Sequence, residues 1–394
     1  MLTVDEALGV MLDGAEPLGA ESVAVADAWS RVLAEDVTAR TMQPPFDASA
    51  MDGYAVRFED AIAGARLKLI GESRAGEAFG RELRAGEAVR ILTGGAVPKG
   101  GDHVAIQEDV AAAAGTIVIE REQRRVTNIR HAGIDFREGD AILERGRRVS
   151  AIDAALIAAA NVEAIRVWRR PVVAHFDNGD ELVEPGRALR SGEIVGSTRF
   201  AFDRLIRDWG AEPCYLGRAR DDRAAIRKLF ERAAADIIVP AGGASVGDYD
   251  LVKPAFADAG GEIRFEKISV KPGKPTWFGT LAEARVLGLP GNPASALVCA
   301  FLFLRPLIGT LLGMKAQPLL AARLAAGLPE NGPREEYLRA ASSISAGGVH
   351  EVAALPDQES SLLSPFARAD RLIRRAPHAR AAAAGDIVEC VDLA

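Results

Sequence analysis

The chain has 394 residues, enough for two to four domains at about 100–200 residues per domain. Hydrophobic residues make up 48% and charged residues 26%, proportions that are typical of globular proteins and exclude global disorder. The formal net charge of −7 argues against a broad nucleic-acid-binding protein, which usually carries a basic excess.

The first predicted element is a short helix, because Thr3 and Glu6 fit a capping box near the N-terminus. Short β-like runs separated by glycines then predict a β-rich region. Ser150 and Asp153 predict a second capped helix, over about residues 151–160.

From residue 171 strand-like and helix-like patterns alternate. The strand-like runs are PVVAHF, DIIVPA and RVLGL. This alternation predicts a parallel sheet with helices on both faces. After residue 314, short alternating runs predict a small C-terminal β-domain.

The predicted fold class is therefore multi-domain α/β plus β, with a central parallel-sheet domain. The predicted parts are a discontinuous helical linking domain (1–20 and 134–170), a β-rich domain (21–133), an α/β ligand-binding domain (171–314) and a C-terminal β-domain (315–394).

Cysteine usage and the apolar runs predict the compartment. Cys214, Cys299 and Cys390 are far apart in sequence, which indicates reduced thiols in a cytosolic protein. The acidic N-terminus does not resemble a signal peptide. The longest apolar run, Ala296 to Leu304, stops at Arg305 and is shorter than the ~20 residues of a membrane helix. It predicts a buried helix, Ala294–Leu304. We therefore expect a cytoplasmic protein that binds neither nucleic acid nor membranes.

Three predicted strands run directly into glycine-rich polar turns. PVVAHF leads into DNGDEL, DIIVPA into GGASVGDYD, and RVLGL into PGNPAS. Ligands bind at the carboxyl ends of strands in an open parallel sheet, so we expect the three turns to converge on one edge.

The turns and a nearby lysine stretch offer groups that suit anions. Glycines beside Asp250 let backbone amides approach an oxyanion, and a helix that starts at Pro293 presents free N–H groups. The stretch FEKISVKPGKP concentrates lysines in an acidic protein. The alternatives are an ordinary loop with surface acids, a helix start shaped by proline, and a solvated basic loop.

Two segments of the β-rich domain carry further candidates. Asp52 lies in PPFDASAMDGYAV, where it is either a metal ligand or a turn cap. Thr93 lies at the glycine turn of RILTGGAVPKGGDHVAIQED, which is alternatively a tight connection between two strands.

In series, the motifs resemble the molybdopterin molybdenumtransferase (MoeA) family, which includes a domain of gephyrin. They are MDGYAV, RILTGG, NIR..G.D, GDEL, GG.SVGD.D, KPGKP.WFG and LPGNP.SAL, and the resemblance covers essentially the whole chain. It implies an elongated four-domain fold with a MogA-like central domain, and a homodimer whose active site lies between subunits. It also implies that molybdate is inserted into adenylylated molybdopterin, with release of AMP, in the presence of a divalent metal such as Mg²⁺. The adenylyltransferase that supplies this substrate is an implied partner.

The resemblance further implies roles for individual residues, with Asp52 and Asp250 as metal ligands. The implied catalytic residues are Asp52, Thr93, Asp135, Glu181 and Asp250. The implied substrate-binding residues are Lys267, Lys271, Lys274, Pro290, Pro293, Ser295, Arg339 and Ser360.

Four residues depart from the family pattern beside these motifs: Asp177, Gly196, Ile134 and Glu359. Asp177 and Glu359 add negative charge next to motifs expected to bind an anionic substrate. One alternative is therefore a divergent paralogue that binds or delivers the cofactor with weak or altered catalysis. A membrane-protein scaffold is a third hypothesis, and the absence of linker-rich segments argues against it.

Overall fold

The computed structural model describes residues 1–124, 127–242, 251–345 and 347–393. The chain divides into two compact units. Unit 1 comprises Met1–Glu21, Ser30–Ala34 and Val167–Ala394, and unit 2 comprises Ser22–Trp29 and Glu35–Arg166. The finer boundaries of the four predicted domains stay a prediction.

A six-stranded sheet forms the α/β part of unit 1. Four neighbouring strands pair parallel, and the two pairings at one edge are antiparallel. The strands Trp277–Leu281 and Ala284–Gly288 pair antiparallel because only Ala282 and Glu283 connect them, too short a link for a crossover. In spatial order the strands are Glu212–Ala219, Val172–Asn178, Ile237–Ala241, Ala284–Gly288, Trp277–Leu281 and Glu262–Phe265.

Helices cover both faces of this sheet, as predicted. Val173 contributes to a core with Phe202 and Ile206, whereas Phe176 contributes to a second core with Phe230 and Phe256. Val173 and Phe176 are an odd number of residues apart on one strand, so their side chains point to opposite faces of the sheet. The first core includes residues of the helices Val4–Leu12, Thr198–Asp208, Pro293–Cys299 and Arg305–Leu311. The second includes residues of Arg223–Arg232 and Val252–Asp258.

The apolar helix is longer than its sequence suggests. Pro293–Cys299 continues through a π-helical segment, Ala300–Leu304, into Arg305–Leu311. The predicted end at Leu304 was wrong, since Pro306 lies at the start of the segment that follows the change of helical register. Among the described residues, Pro293–Leu311 is the one helix long and apolar enough to cross a membrane, but 78% of its apolar window is buried. That burial is typical of a core helix, which is what we predicted.

The C-terminal part of unit 1 is a small β-barrel. Its strands run in the order Glu335–Ile344, His350–Ala354, Leu320–Leu324, Ile387–Asp392 and Arg371–Arg375, and the last pairs with the first. The short strand Val270–Lys271 joins the barrel beside Glu335–Ile344. A short helix, Leu363–Phe366, follows the loop of residues 357–362.

Unit 2 is built on a second six-stranded sheet. Its strands are, in spatial order, His103–Ile106, Gly53–Val56, Glu87–Ile91, Arg66–Ser73, Thr116–Ile119 and Val110–Ala113. Two short antiparallel pairs lie outside it, Val37–Thr38 with Ala141–Leu143 and Ala48–Ser49 with Ile129–Arg130.

Both predicted capping boxes are present. The Thr3 side chain accepts from the Glu6 amide at the start of the helix Val4–Leu12, and Ser150 does the same for Asp153 at the helix Ala151–Ala159. The strands Ala20–Ala24 and Ala164–Trp168 contain boundaries between the units.

Candidate functional site

The strand-to-turn junctions of unit 1 meet at Gly242. An ideal Cβ on Gly242 would lie 2.9 Å from the main-chain oxygen of Asn178, and one on Gly291 would lie 3.4 Å from the Gly242 Cα. The Gly242 amide also donates to the Leu289 carbonyl at 3.2 Å. The described part of the three turns therefore converges on one sheet edge, as predicted. The rest of the glycine turn, including Asp250, lies outside the described residues.

Glu181 lies in a turn that requires glycine. Gly179 has φ +142°, and an ideal Cβ there would fall 2.5 Å from Glu181 Oε2. The Glu181 side chain is exposed. Glycine at this position therefore lets the carboxylate fold back over the end of the strand Val172–Asn178.

Asp177, one of the departures, is buried. Its carboxylate accepts from the Tyr215 hydroxyl at 3.2 Å, and burial raises the pKa of Asp177. His175, two residues earlier on the same face, lies 2.8 Å from Asp203. Asp177 therefore lies inside the fold and bonds to a neighbouring strand, and is not an exposed surface charge.

The three lysines are exposed, but the loop that carries them is anchored. Lys271 Nζ lies 2.7 Å from Glu336, and Gly273 packs so closely on the helix Pro293–Cys299 that an ideal Cβ would lie 2.2 Å from Cys299 Sγ. Thr276 Oγ1 donates to the same sulfur at 3.2 Å. Lys267, Lys271 and Lys274 thus project from a loop that is fixed to that helix. This packing distinguishes the loop from the solvated basic loop that the sequence left as an alternative.

The first turn of this helix contacts the loop of residues 357–362, which we call the Ser360 loop. The Ser295 amide donates to the Ser360 carbonyl at 3.3 Å, and Asn292 Nδ2 donates to Ser360 Oγ at 3.0 Å. Pro293 lies at the helix start, as predicted, and Pro290 is buried just before it. The structure therefore brings together Ser295 and Ser360, which are distant in sequence.

The buried side chain of Arg339 holds the main chain of the Ser360 loop in place. It is 1% exposed, and its guanidinium donates to the main-chain oxygens of Asp357, Glu359 and Leu362. Loss of hydration lowers the pKa of this arginine. Arg339, which the resemblance implies as a substrate ligand, organises the loop in this structure, and its direct contact with substrate stays a prediction.

Gln358 is a residue that sequence reasoning missed. Its Oε1 accepts from the Arg339 amide at 2.9 Å, and its Nε2 donates to the carbonyls of Arg339 and Leu355 at 2.9 and 2.7 Å. Only its place near Ser360 in DQESS pointed to it, because its bonds to Arg339 join residues that are 19 apart in sequence.

In unit 2, Asp52 and Thr93 form a direct pair. Asp52 Oδ1 accepts from the Thr93 amide at 2.7 Å and from Thr93 Oγ1 at 2.8 Å. These bonds hold the pKa of Asp52 below its ordinary value, so the exposed carboxylate is ionised at neutral pH. No hydrogen bond from the described residues reaches Oδ2, which leaves that oxygen accessible to a cation.

The three motifs of unit 2 also meet. The segment before Asp52 contacts the glycine turn through the Gly94 amide and Ser49 carbonyl, 2.9 Å apart. On its other side, the Asp135 amide donates to the Gln43 carbonyl at 3.0 Å. Asp135 and the departure Ile134 are both exposed. The structure thus gathers the segments that carry Asp52, Thr93 and Asp135.

A preformed metal cage is absent from the residues that the structure describes, since no three His, Cys, Asp or Glu side chains cluster suitably. Asp52 supplies one free carboxylate oxygen. Mg²⁺ is commonly held by one or two carboxylates together with substrate phosphates and water, so the donor set is compatible with such binding.

Family models match almost the whole chain. The MoeA N-terminal region (domain I and II) matches residues 2–161, the probable molybdopterin binding domain residues 178–310, and the MoeA C-terminal region (domain IV) residues 321–393. These matches confirm the predicted fold class, with a MogA-like α/β domain between a β-rich N-terminal region and a small C-terminal β-domain.

Related proteins and solved structures also match this chain over most of its length. The chain is 37% identical to the molybdopterin molybdenumtransferase of Haemophilus influenzae over 95% of this chain and 94% of the relative. It is 35% identical to the protein of that name from Nostoc sp., over 80% and 76%. The molybdopterin biosynthesis MoeA protein from Pyrococcus horikoshii superposes with a TM-score of 0.84 at 26% identity, covering 99% of each chain. This chain therefore belongs to the MoeA family.

Proposed function

We propose that this chain is a molybdopterin molybdenumtransferase that inserts molybdate into adenylylated molybdopterin and releases AMP. The observation that carries the proposal is the near-full-length similarity to proteins of that name, 37% identical in the first case. The convergent sheet edge and the anchored lysine loop supply the anion-binding chemistry that such substrates need.

In unit 1, fixed positive charge and backbone amides would bind the anions. Lys267, Lys271 and Lys274 project from a loop fixed to the Pro293–Cys299 helix, and Ser295 and Ser360 lie together at its start. Lysine is a compact point charge that neutralises phosphate or molybdate. Groups held in place before the substrate arrives need little reorganisation during reaction.

In unit 2, the ionised Asp52 would hold a divalent cation. Asp250 is also proposed as a metal ligand, on the family resemblance alone. Thr93 fixes the Asp52 carboxylate through two hydrogen bonds, which leaves the second oxygen available. Bound Mg²⁺ would neutralise phosphate charge and polarise the bond that releases AMP. Asp135 and Glu181 complete the proposed catalytic set.

The alternative, a divergent paralogue that binds or delivers the cofactor with weak or altered catalysis, has less support. It rested on residues that depart from the family pattern, of which Asp177 is buried rather than exposed. The family matches favour the transferase.

The direct test is AMP release from adenylylated molybdopterin by the purified chain with Mg²⁺. We expect release that requires molybdate, measured by chromatography of the nucleotide product. Reactions without molybdate and without protein are the controls. Absence of molybdate-dependent release, with binding of the adenylylated substrate retained, would contradict the proposal.

We also propose a cytoplasmic homodimer, supplied with substrate by an adenylyltransferase. Sedimentation at micromolar concentration should give twice the monomer mass, because the family resemblance implies an active site completed by two subunits. A single species at the monomer mass of 41.7 kDa would be inconsistent with this assembly.

A further inference from the structure

The Ser360 loop contains a carboxylate that is bound by the loop's own donors. The Ser361 amide donates to Glu359 Oε2 at 2.9 Å, and Ser360 Oγ donates to Glu359 Oε1 at 3.2 Å. The Ser361 hydroxyl also donates to Oε2. One amide and two hydroxyl groups therefore surround an anionic group, which is the arrangement that an oxyanion ligand requires.

The Ser360 hydroxyl has no proton left for a ligand in this state. A serine hydroxyl has one O–H donor and two acceptor lone pairs. Ser360 gives its proton to Glu359 and accepts from Asn292. An oxyanion that arrives at Ser360 must therefore replace the carboxylate as the acceptor of that proton.

The loop main chain is held independently of Glu359. Arg339 binds the main-chain oxygens of Asp357, Glu359 and Leu362, and Gln358 is bonded to the neighbouring strand. The Glu359 side chain is exposed, so it can swing into solvent while these anchors stay in place. The donors of Ser360 and Ser361 would then be free to bind a ligand without rearrangement of the backbone.

We propose that Glu359 is a specificity-determining residue that competes with the oxyanion substrate for the donors of Ser360 and Ser361. The inference rests on the proposed function, because it takes Ser360 as a substrate-binding residue. The ligand is an oxyanion, either molybdate or the phosphate of the adenylylated substrate. Competition by an ionised carboxylate weakens the binding of either one.

The test compares wild type with Glu359→Gln and Glu359→Gly by isothermal titration calorimetry, with molybdate and AMP as separate ligands. Glutamine keeps an acceptor but loses the charge, and glycine removes the group. A hydrogen bond to an ionised partner is about twice as strong as a neutral one, so we expect the dissociation constant to fall about threefold to tenfold. Tighter binding of molybdate alone or AMP alone identifies which oxyanion uses the donors.

Two matched variants separate this role from general effects of charge and folding. Glu351→Gln removes a half-buried carboxylate from the barrel strand His350–Ala354 and should leave both dissociation constants unchanged. Ser360→Ala in the Glu359→Gln protein should abolish the gain. Thermal unfolding of every variant checks that the loop and barrel are intact.

Unchanged affinity of both Glu359 variants for both ligands overturns the competition. If wild type still releases AMP in that case, the proposed function stands without it. Tighter oxyanion binding without molybdate-dependent AMP release supports the competition and contradicts the transferase proposal.

Discussion

Asp52→Asn is expected to lower the rate of AMP release at least about tenfold, which corresponds to ~1.4 kcal/mol of transition-state stabilisation. Asparagine has nearly the same shape and can still accept the Thr93 bonds at Oδ1, so the turn should stay folded. The variant loses the negative charge that would hold a divalent cation at Oδ2. The measurement is the initial rate of AMP release at saturating substrate, followed over a series of Mg²⁺ concentrations.

The matched control is Glu59→Gln, which neutralises an exposed carboxylate of unit 2 that pairs with Arg57. It should retain the wild-type rate. Raised Mg²⁺ should partly restore Asp52→Asn if weakened metal binding is the cause. Full activity of both Asp52→Asn and Asp52→Ala would remove Asp52 from the catalytic set.

Arg339→Met is expected to lower the free energy of unfolding by ~2–4 kcal/mol, because loss of a buried hydrogen-bonded group leaves its partners unsatisfied. Methionine fills much of the volume but cannot donate to the oxygens of Asp357, Glu359 and Leu362. AMP release should fall as well, since Ser360 would lose its fixed position beside Ser295. Urea unfolding and the AMP assay measure the two effects.

Arg323→Met is the control for this change, because Arg323 is an exposed arginine on the barrel strand Leu320–Leu324. Surface substitutions of this kind usually change stability by less than ~0.5 kcal/mol. An Arg339→Met protein as stable as this control would show that the loop does not depend on the guanidinium.

The sequence correctly predicted features that depend on residues close to each other in the chain. Both capping boxes were predicted, since a cap is made by residues within one helical turn. The convergence at Gly242 followed from glycine directly after strands, because carboxyl ends of parallel strands share an edge. The length of the apolar helix was underestimated, because the π-helical segment that accommodates Pro306 has no local sequence signal.

Only the tertiary structure decided which side chains meet across the fold. Asp52 and Thr93 are 41 residues apart, and their pairing depends on how the turns of unit 2 stack. The Asp177 carboxylate accepts a hydrogen bond from Tyr215 on a neighbouring strand, where burial raises the pKa of Asp177. Arg339 was recognised by sequence, but its partners follow from the closure of the barrel and the path of the Ser360 loop. Sequence by itself determined the family, the strand and helix pattern and the candidate residues. Tertiary contacts determined their partners, their burial and the direction in which their pKa values shift, which depend on the solvent and charges that the fold places around each group.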